Sequence, residues 1–279
     1  MREGTANLDA ATVAGFGQEW ARFDQSGMST EEANRIFESY FSIFPWATLP
    51  AGAIGFDAGC GSGRWAALAA SRVGRLHCVD ASRQALGVAR RRLATVTNVE
   101  IHEAPIGAMP IADGTMDFGY SLGVLHHLPD PAAGLSACVQ KLKRGAPMLI
   151  YIYYAFDNRP QWFRLLWQVT DAMRLMISRL PFWLRSAAAE LIAAVVYWPV
   201  ARVAALFERS GRRVENWPLN AYRRLSYYAM RTDALDRFGT RLEHRMTRNQ
   251  IEAMMTGAGL GDIGFSEASP YWCAVGRRL

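Results

Sequence analysis

The sequence predicts an α/β protein built on a doubly wound, mostly parallel seven-stranded sheet with a helical insertion, and three observations carry that expectation. A glycine-rich turn, Gly59-Cys60-Gly61-Ser62-Gly63, follows a short apolar run that ends in Asp57. A second apolar run ends in Asp80, an acid placed after the turn at the roughly 20-residue spacing that suits a doubly wound nucleotide fold. Strand-like and helix-like patterns then alternate from residue 51 to 154, the order a parallel sheet requires.

Taken in order, residues 1–50 form an N-terminal helical segment that holds Phe16-Gly17-Gln18-Glu19-Trp20 and a second helix opened by Ser29-Thr30-Glu31-Glu32, a capping sequence. Strands are expected at 52–57, 75–80, 98–102, 116–121 and 147–153. Between them Leu86, Ala89 and Leu93 share one helical face, as do Leu135, Cys138, Val139 and Leu142. Residues 155–245 break the alternation with helical sequence rich in arginine and tryptophan. The chain returns to the sheet with a helix from Thr247 to Met255, a stop at Gly257-Ala258-Gly259, and strands near 262–267 and 271–276. The division expected is therefore an N-terminal segment (1–50), a core (51–154 and 246–279) and an insertion acting as a cap (155–245).

The turn has the spacing G-x-G-x-G after an acid two positions upstream, not the G-x-G-x-x-G of dinucleotide binding. Asp57 to Gly63 resembles motif I of the class I S-adenosylmethionine-dependent methyltransferases, and Val79-Asp80-Ala81-Ser82 resembles motif II. Met116 to Leu128, with Leu125-His126-His127 at its end, looks like the fourth-strand motif of the same Rossmann-like family, in a small-molecule core of methyltransferase type 11. The resemblance implies S-adenosylmethionine as cofactor. Asp57 would lie near its amino group, and Ala58, Gly59, Cys60 and Gly61 would offer backbone to the methionine and ribose parts. Asp80 would accept the ribose hydroxyls, with Ala81 and Ser82 beside the adenine. Ser121 and Leu122 would approach the methionine end. The position after the third strand, where the family commonly carries an acid for the adenine amino group, falls on Pro105 and Ile106; adenine recognition then rests on backbone, on Glu103 or on stacking. Related enzymes fold an F-G-x-E-W segment over the cofactor, which would put Phe16 and Trp20 in the pocket; the other reading is a helix packed on the sheet edge.

The same resemblance implies methyl transfer to a small-molecule acceptor, with oxygen as the expected atom. Two alternatives stand beside it: C-methylation of a quinone- or lipid-like acceptor, and a non-catalytic S-adenosylmethionine-binding subunit. His126 is the candidate base, since an imidazole near its ordinary pKa of about 6.5 is available to take a proton near neutrality; structural packing is the competing role for it and the favoured one for His127. Cys60 reads as a small apolar filler.

The net charge of +6 is almost all arginine, Lys141 and Lys143 being the lysines, and it does not by itself indicate nucleic acid. The fourth strand ends Ser-Leu-Gly-Val rather than in the N/D-P-P-aromatic run of base-amino methylation, so no nucleic-acid partner is expected. Four scattered cysteines and the lack of a secretory leader predict a reduced, cytoplasmic protein. No set of histidines, cysteines and carboxylates stands at ligand spacing along the sequence, so no metal is expected. The apolar stretch 155–207 has two readings, peripheral membrane contact over a lipid-like acceptor, or helix packing and homo-oligomerisation. Pro199 and Arg202 interrupt Leu191–Phe207, which argues against a spanning helix there.

Overall fold

A computed structural model of the chain describes residues 7–214 and 216–279. Its strands are β1 (Ile54–Ala58), β2 (Arg75–Asp80), β3 (Val99–Glu103), β4 (Phe118–Leu122), β5 (Pro147–Tyr151), β6 (Leu260–Phe265) and β7 (Cys273–Arg278). They form one seven-stranded sheet in the order β3-β2-β1-β4-β5-β7-β6. The first five strands pair in parallel, and β7 runs antiparallel between β5 and β6. Strand order reverses between β1 and β4, so the loops that leave these two strands part and open a crevice at their C-terminal ends. The β1–β4 pair is locked at that point by two reciprocal contacts. Gly55 pairs with Phe118 and Phe56 with Gly119, each ring lying where the opposite glycine's missing side chain would stand.

The chain divides into two compact units. One comprises the residues through Gln25 with Ala33–Ala155 and Leu242–Leu279; the other comprises Ser26–Glu32 and Phe156–Arg241. Most of the N-terminal segment therefore belongs with the sheet instead of standing apart as 1–50. The physical reason is packing. Helix α1 (Ala10–Arg22) lies against α4 (Arg83–Arg92), and α2 (Thr30–Phe41) contributes Phe37 and Phe41 to a buried cluster with Trp65, Phe118 and Tyr120. Helices α3 (Arg64–Ala69) and α4 cover that side, while α5 (Pro131–Lys141) and α10 (Arg248–Gly257) enclose a second cluster built on Phe56, Val79, Leu135, Met148 and Ile251. The cap that opens α10 is a reciprocal one, Thr247 and Gln250 each bonding the other's backbone.

The second unit is helical: α6 (Gln161–Ile177), α7 (Phe182–Ile192), α8 (Trp198–Arg209) and α9 (Tyr227–Gly239). A π-helical turn, Ala193–Tyr197, joins α7 to α8 without a break, so Phe182–Arg209 is one 28-residue helix with a mean hydropathy of 1.6 in its most apolar window. By length and composition it is able to cross a membrane, contrary to the interruption expected at Pro199 and Arg202. Pro199 lies inside this continuous helix, directly after the π-helical turn Ala193–Tyr197, a local irregularity of the kind that accommodates a missing N–H. Arg202 turns inward, donating to the carbonyls of Arg223 (3.1 Å) and Leu225 (2.8 Å) while its guanidinium lies 3.9 Å from the Trp198 ring centroid.

This long helix has two unlike faces. Ala189, Ala193, Tyr197, Ala201 and Ala204 recur at helical spacing and are buried, and charged groups beside them reach partners within the unit. Arg185 donates to the Gly239 carbonyl at 2.9 Å, Glu190 pairs with Arg231 at 2.7 Å, and Glu208 pairs with Arg223 at 2.9 Å. The opposite face exposes Trp183, Leu191, Val195, Val196, Val203 and Leu206.

Candidate active site

The glycine turn after β1 is held open by its own backbone. Gly59 and Cys60 both donate to the Val79 carbonyl (2.8 and 3.1 Å), which fastens the turn to β2, and Gly63 donates back to Cys60 (2.9 Å). All three glycines have positive φ, +84° at Gly59, +53° at Gly61 and +72° at Gly63. At Gly61 a side chain would also be crowded: its Cβ would lie 3.0 Å from the indole nitrogen of Trp20. Helix α1 thus lays Trp20 over the turn, and it crosses α4 so closely at Gly17 that a Cβ there would stand 2.6 Å from Ser82 Oγ. Phe16, one turn earlier on the helix, rests 4.8 Å from the His127 ring. The segment expected either to fold over the cofactor or to pack on an edge packs directly on the turn and on the start of α4.

Two carboxylates face this turn in different ways. Asp80 Oδ2 accepts from Gly61 N–H (2.9 Å) and Oδ1 from Ser82 N–H (2.8 Å), which leaves further lone pairs on both oxygens for a ligand's hydroxyls. Partial burial raises its pKa, and those backbone donors hold part of the rise back. Asp57 is buried, and its Oδ2 has no hydrogen-bond partner among the described residues. Burial pushes the Asp57 carboxyl up to about 8; the Tyr120 hydroxyl and the Arg64 charge oppose that rise and the neighbouring Asp80 adds to it. The Tyr120 hydroxyl stands close to Asp57 without an aligned hydrogen bond to it. A buried carboxyl with a spare oxygen is a receptor for a cation, and an ammonium group would restore its ordinary ionisation. Ser62 Oγ, in the turn itself, is likewise buried without a partner.

The other expected contacts are sorted by how their polar atoms are used. Ser121 Oγ donates to the Ala58 carbonyl at 2.8 Å, tying β4 to β1, and Ser121 and Leu122 are buried at the C-terminal end of β4. Ser82 Oγ caps α4 by accepting from Ala85 N–H at 3.3 Å, and Ala81 stands between it and Asp80. Pro105 precedes a short 3-10 turn, Ile106–Ala108, and its carbonyl is taken by Ala108 N–H at 2.9 Å. Ile106 buries its side chain in the core cluster with Val79 and Leu125, so it offers a ligand backbone only. Glu103, the neighbouring acid, is paired with Arg83 (3.2 Å). Cys60 lies beside Cys78, and burial holds its thiol well above the ordinary range, so it is a filler and not a nucleophile.

After β4, Gly123 turns the chain into a short 3-10 turn, Leu125–His127. His126 is completely buried, and neither ring nitrogen has a hydrogen-bond partner among the described residues. Its ring lies 4.0 Å from that of Tyr153 and 4.0 Å from that of His127. Burial first, and then His127, Arg245 and His244, hold its pKa well below the usual imidazole value, so it is neutral at neutral pH. His127 has a structural bond, its Nδ1 standing 2.7 Å from the Leu242 carbonyl. Tyr153, Tyr120 and Ser62 are site residues that the sequence reading passed over. Tyr120 and Tyr153 belong to β4 and to the exit from β5, and strand adjacency is the one signal that points to them.

The arginine- and tyrosine-rich stretch 222–245 is used internally at several points. Arg223 and Arg224 pair with Glu208, Arg231 with Glu190, and Arg245 with Glu243, while Arg241 donates to the Ser178 carbonyl.

Comparison with known proteins agrees with this geometry. A family model described as a methyltransferase domain matches residues 56–150. A ubiquinone biosynthesis O-methyltransferase of Aromatoleum aromaticum is 32% identical over 136 residues, 47% of this chain and 56% of that protein. A 37.1 kDa protein of transposon TN4556 from Streptomyces fradiae is 32% identical over 126 residues, 44% of this chain and 36% of that protein. The chain thus spans about half the length or less of these curated relatives. Among solved structures, a Haloferax volcanii chain described as a methyltransferase, in complex with the Trm112 methyltransferase activator, superposes with a TM-score of 0.50. It is 14% identical, over 94% of this chain and 96% of that one, and shares the fold.

Proposed function

With residues 56–150 a class I S-adenosylmethionine-dependent methyltransferase domain, we propose that this chain transfers a methyl group to an oxygen of a small-molecule acceptor, with His126 taking the acceptor's proton. The observation that carries the cofactor half of this reading is the unpartnered buried oxygen of Asp57 beside a positive-φ glycine turn, a cradle for an ammonium group. S-adenosylmethionine, when bound, supplies a methyl group already activated on a sulfonium. The chain's own residues do the rest. Asp57 would hold the amino group, Asp80 the ribose hydroxyls through its spare lone pairs, and Trp20 shields the turn from water. Adenine would meet backbone around Ala81 and Pro105, there being no acid at that position.

His126 supports the oxygen half. A neutral imidazole has one N–H and one lone-pair nitrogen, and with neither engaged the lone-pair nitrogen is able to accept a proton; the neighbours Arg245, His127 and His244 disfavour holding that proton long. Calorimetry with S-adenosylmethionine and S-adenosylhomocysteine tests the cofactor claim, and failure to bind either one ends it. For the chemistry, methyl-labelled S-adenosylmethionine is incubated with cell extract, and the labelled product is treated with hydroiodic acid. Release of the label marks an O-methyl group, and retention marks a C-methyl group. Binding with no transfer to any fraction would indicate a non-catalytic subunit.

A second reading, an apolar lipid- or quinone-like acceptor met at a membrane surface, is favoured by the helical unit. Trp162, Leu165, Val169, Met176, Trp183, Leu191, Val195 and Leu206 are each more than half exposed. Burying one such side chain is worth about 1.5–3 kcal/mol, so this face has a strong drive to be covered. The charge pattern selects an anionic bilayer over a second copy of the chain. Arg164, Arg179, Arg209, Arg212 and Arg213 are exposed near the ends of the helices, whereas Asp171, Glu190 and Glu208 are all in ion pairs. Because the inner face of Phe182–Arg209 carries Arg185, Glu190 and Arg202 paired to the chain's own groups, the helix fits lying in the interface and not crossing it. On this reading the protein works at the cytoplasmic surface of a membrane. Co-sedimentation with phosphatidylglycerol vesicles, set against phosphatidylcholine vesicles and against the oligomeric state without lipid, checks it; a lipid-indifferent dimer would replace the membrane with a second copy.

A further inference from the structure

We propose that His77, Glu100 and His102 bind a divalent transition-metal ion of the zinc type, at a site separate from the glycine turn. The residues converge through strand register. His77 on β2 stands opposite Glu100 on β3, and the two-residue period of β3 returns His102 to the same face. His77 Nδ1 lies 3.0 Å from His102 Nε2 and 3.5 Å from Glu100 Oε2, and His102 Nε2 lies 3.6 Å from Glu100 Oε1. Donors bound to one zinc ion at roughly 2.0–2.2 Å in tetrahedral array stand about 3.3–3.6 Å apart, so these groups need little movement to share one ion.

The surroundings suit an ion as well. The connection from β3 to β4 has a single 3-10 turn as its regular structure, and that turn packs on α5. The two imidazoles are nearly covered, with side chains 14% and 15% exposed, while the carboxylate is 52% exposed. Two ordered nitrogen donors with an accessible oxygen leave coordination positions open to water. Two imidazoles and one carboxylate favour zinc, nickel, copper or iron over magnesium and calcium, which prefer all-oxygen sets. An ion here would clip β3, the edge strand, to β2 a few residues before Asp80. Sequence spacing hides the site, because Glu100-x-His102 is a short fragment until β2 is laid beside it.

The test uses the full, tag-free chain stripped with chelator. Titration with Co2+ is expected to give a visible d–d band saturating at one equivalent, and Zn2+ should displace it. Zn2+ should also raise the melting temperature progressively with its concentration, and Mg2+ should not. His102→Ala and His77→Ala should abolish the band. Glu100→Gln, exposed and conservative, should weaken binding by about tenfold or more, a loss at least as large as that from removing an outer-shell partner. S-adenosylhomocysteine affinity should stay unchanged in Glu100→Gln, which separates this site from the cofactor site. Absence of the band, or a band and thermal shift that persist undiminished in Glu100→Gln and His102→Ala, would overturn the proposal.

Discussion

The sheet unit and the helical unit handle apolar surface in opposite ways. In the sheet unit the large hydrophobic side chains close into two clusters, and among the described residues of that unit Leu279 is the large hydrophobic left exposed. In the helical unit every other exposed large hydrophobic of the described chain is gathered between Trp162 and Leu206, while Arg174, Arg185 and Arg202 turn inward to donate to carbonyls of the same unit. A folded core normally buries apolar groups and leaves charge outside. The sheet unit follows that rule, and the helices of the insertion depart from it on one face. The difference teaches that the sheet unit closes its apolar surface within itself, whereas the helical unit leaves an apolar face that the proposed membrane contact would cover.

Four experiments would break or sharpen this contrast. The largest effect is expected from Gly59→Val, where φ is +84° and a Cβ would meet Val124 at 2.4 Å. S-adenosylhomocysteine binding should be lost by calorimetry, and vesicle binding should persist if the chain still folds; Asp80→Ala, which keeps the backbone geometry, serves as the milder control. The reverse dissociation should follow from Leu191→Ser, Val195→Ser and Leu206→Ser combined, which should lose most vesicle co-sedimentation with cofactor affinity unchanged. If that variant still sediments with anionic vesicles, the apolar face is not the contact.

A smaller effect confined to turnover is expected of His126→Gln, about a 10²–10⁴-fold fall in kcat with cofactor affinity retained. Full activity would leave His126 as packing alone. The smallest effect is the most diagnostic of Asp57. Its carboxyl is held up to about 8 before ligand binds, and an ammonium partner lowers it, so cofactor binding near pH 7 should release a proton, and that release should fade above pH 8. Calorimetry in buffers of different ionisation enthalpy reads this directly, and Asp57→Asn should abolish it while weakening binding. The stability sign runs the other way: a carboxyl raised by burial favours the fold at low pH and costs stability as pH climbs from the unfolded value of about 3.8 toward 8. Asp57→Asn should therefore raise the melting temperature of the ligand-free chain at pH 8 by a few degrees.

Much of the sheet was legible because its signals are local. All seven strands fall within about two residues of the expected runs, and Leu86, Ala89, Leu93, Leu135 and Cys138 are buried as their spacing requires. The glycine turn was legible for the same reason, since Asp57 to Gly63 is contiguous. What was hidden depends on residues far apart in sequence. The Tyr153 ring meets His126 because β5 lies beside β4, and Trp20 covers Gly61 because α1 packs on α4. His77 and His102 meet through β2–β3 register alone. The continuity of Phe182–Arg209 was misjudged for another reason. Proline and arginine count as interruptions when neither the turn that holds the proline nor the carbonyls that receive the arginine are known.

The position of β7 carries a consequence for how the chain is made. Since Cys273–Arg278 slots between β5 and β6, the sheet has an unfilled channel until those residues leave the ribosome. The apolar helices between Gln161 and Arg209 are synthesised well before that moment. A nascent chain therefore displays its stickiest surface while its sheet is still open, and pulse-labelled ribosome complexes halted before residue 273 should be held by chaperones or bound to lipid.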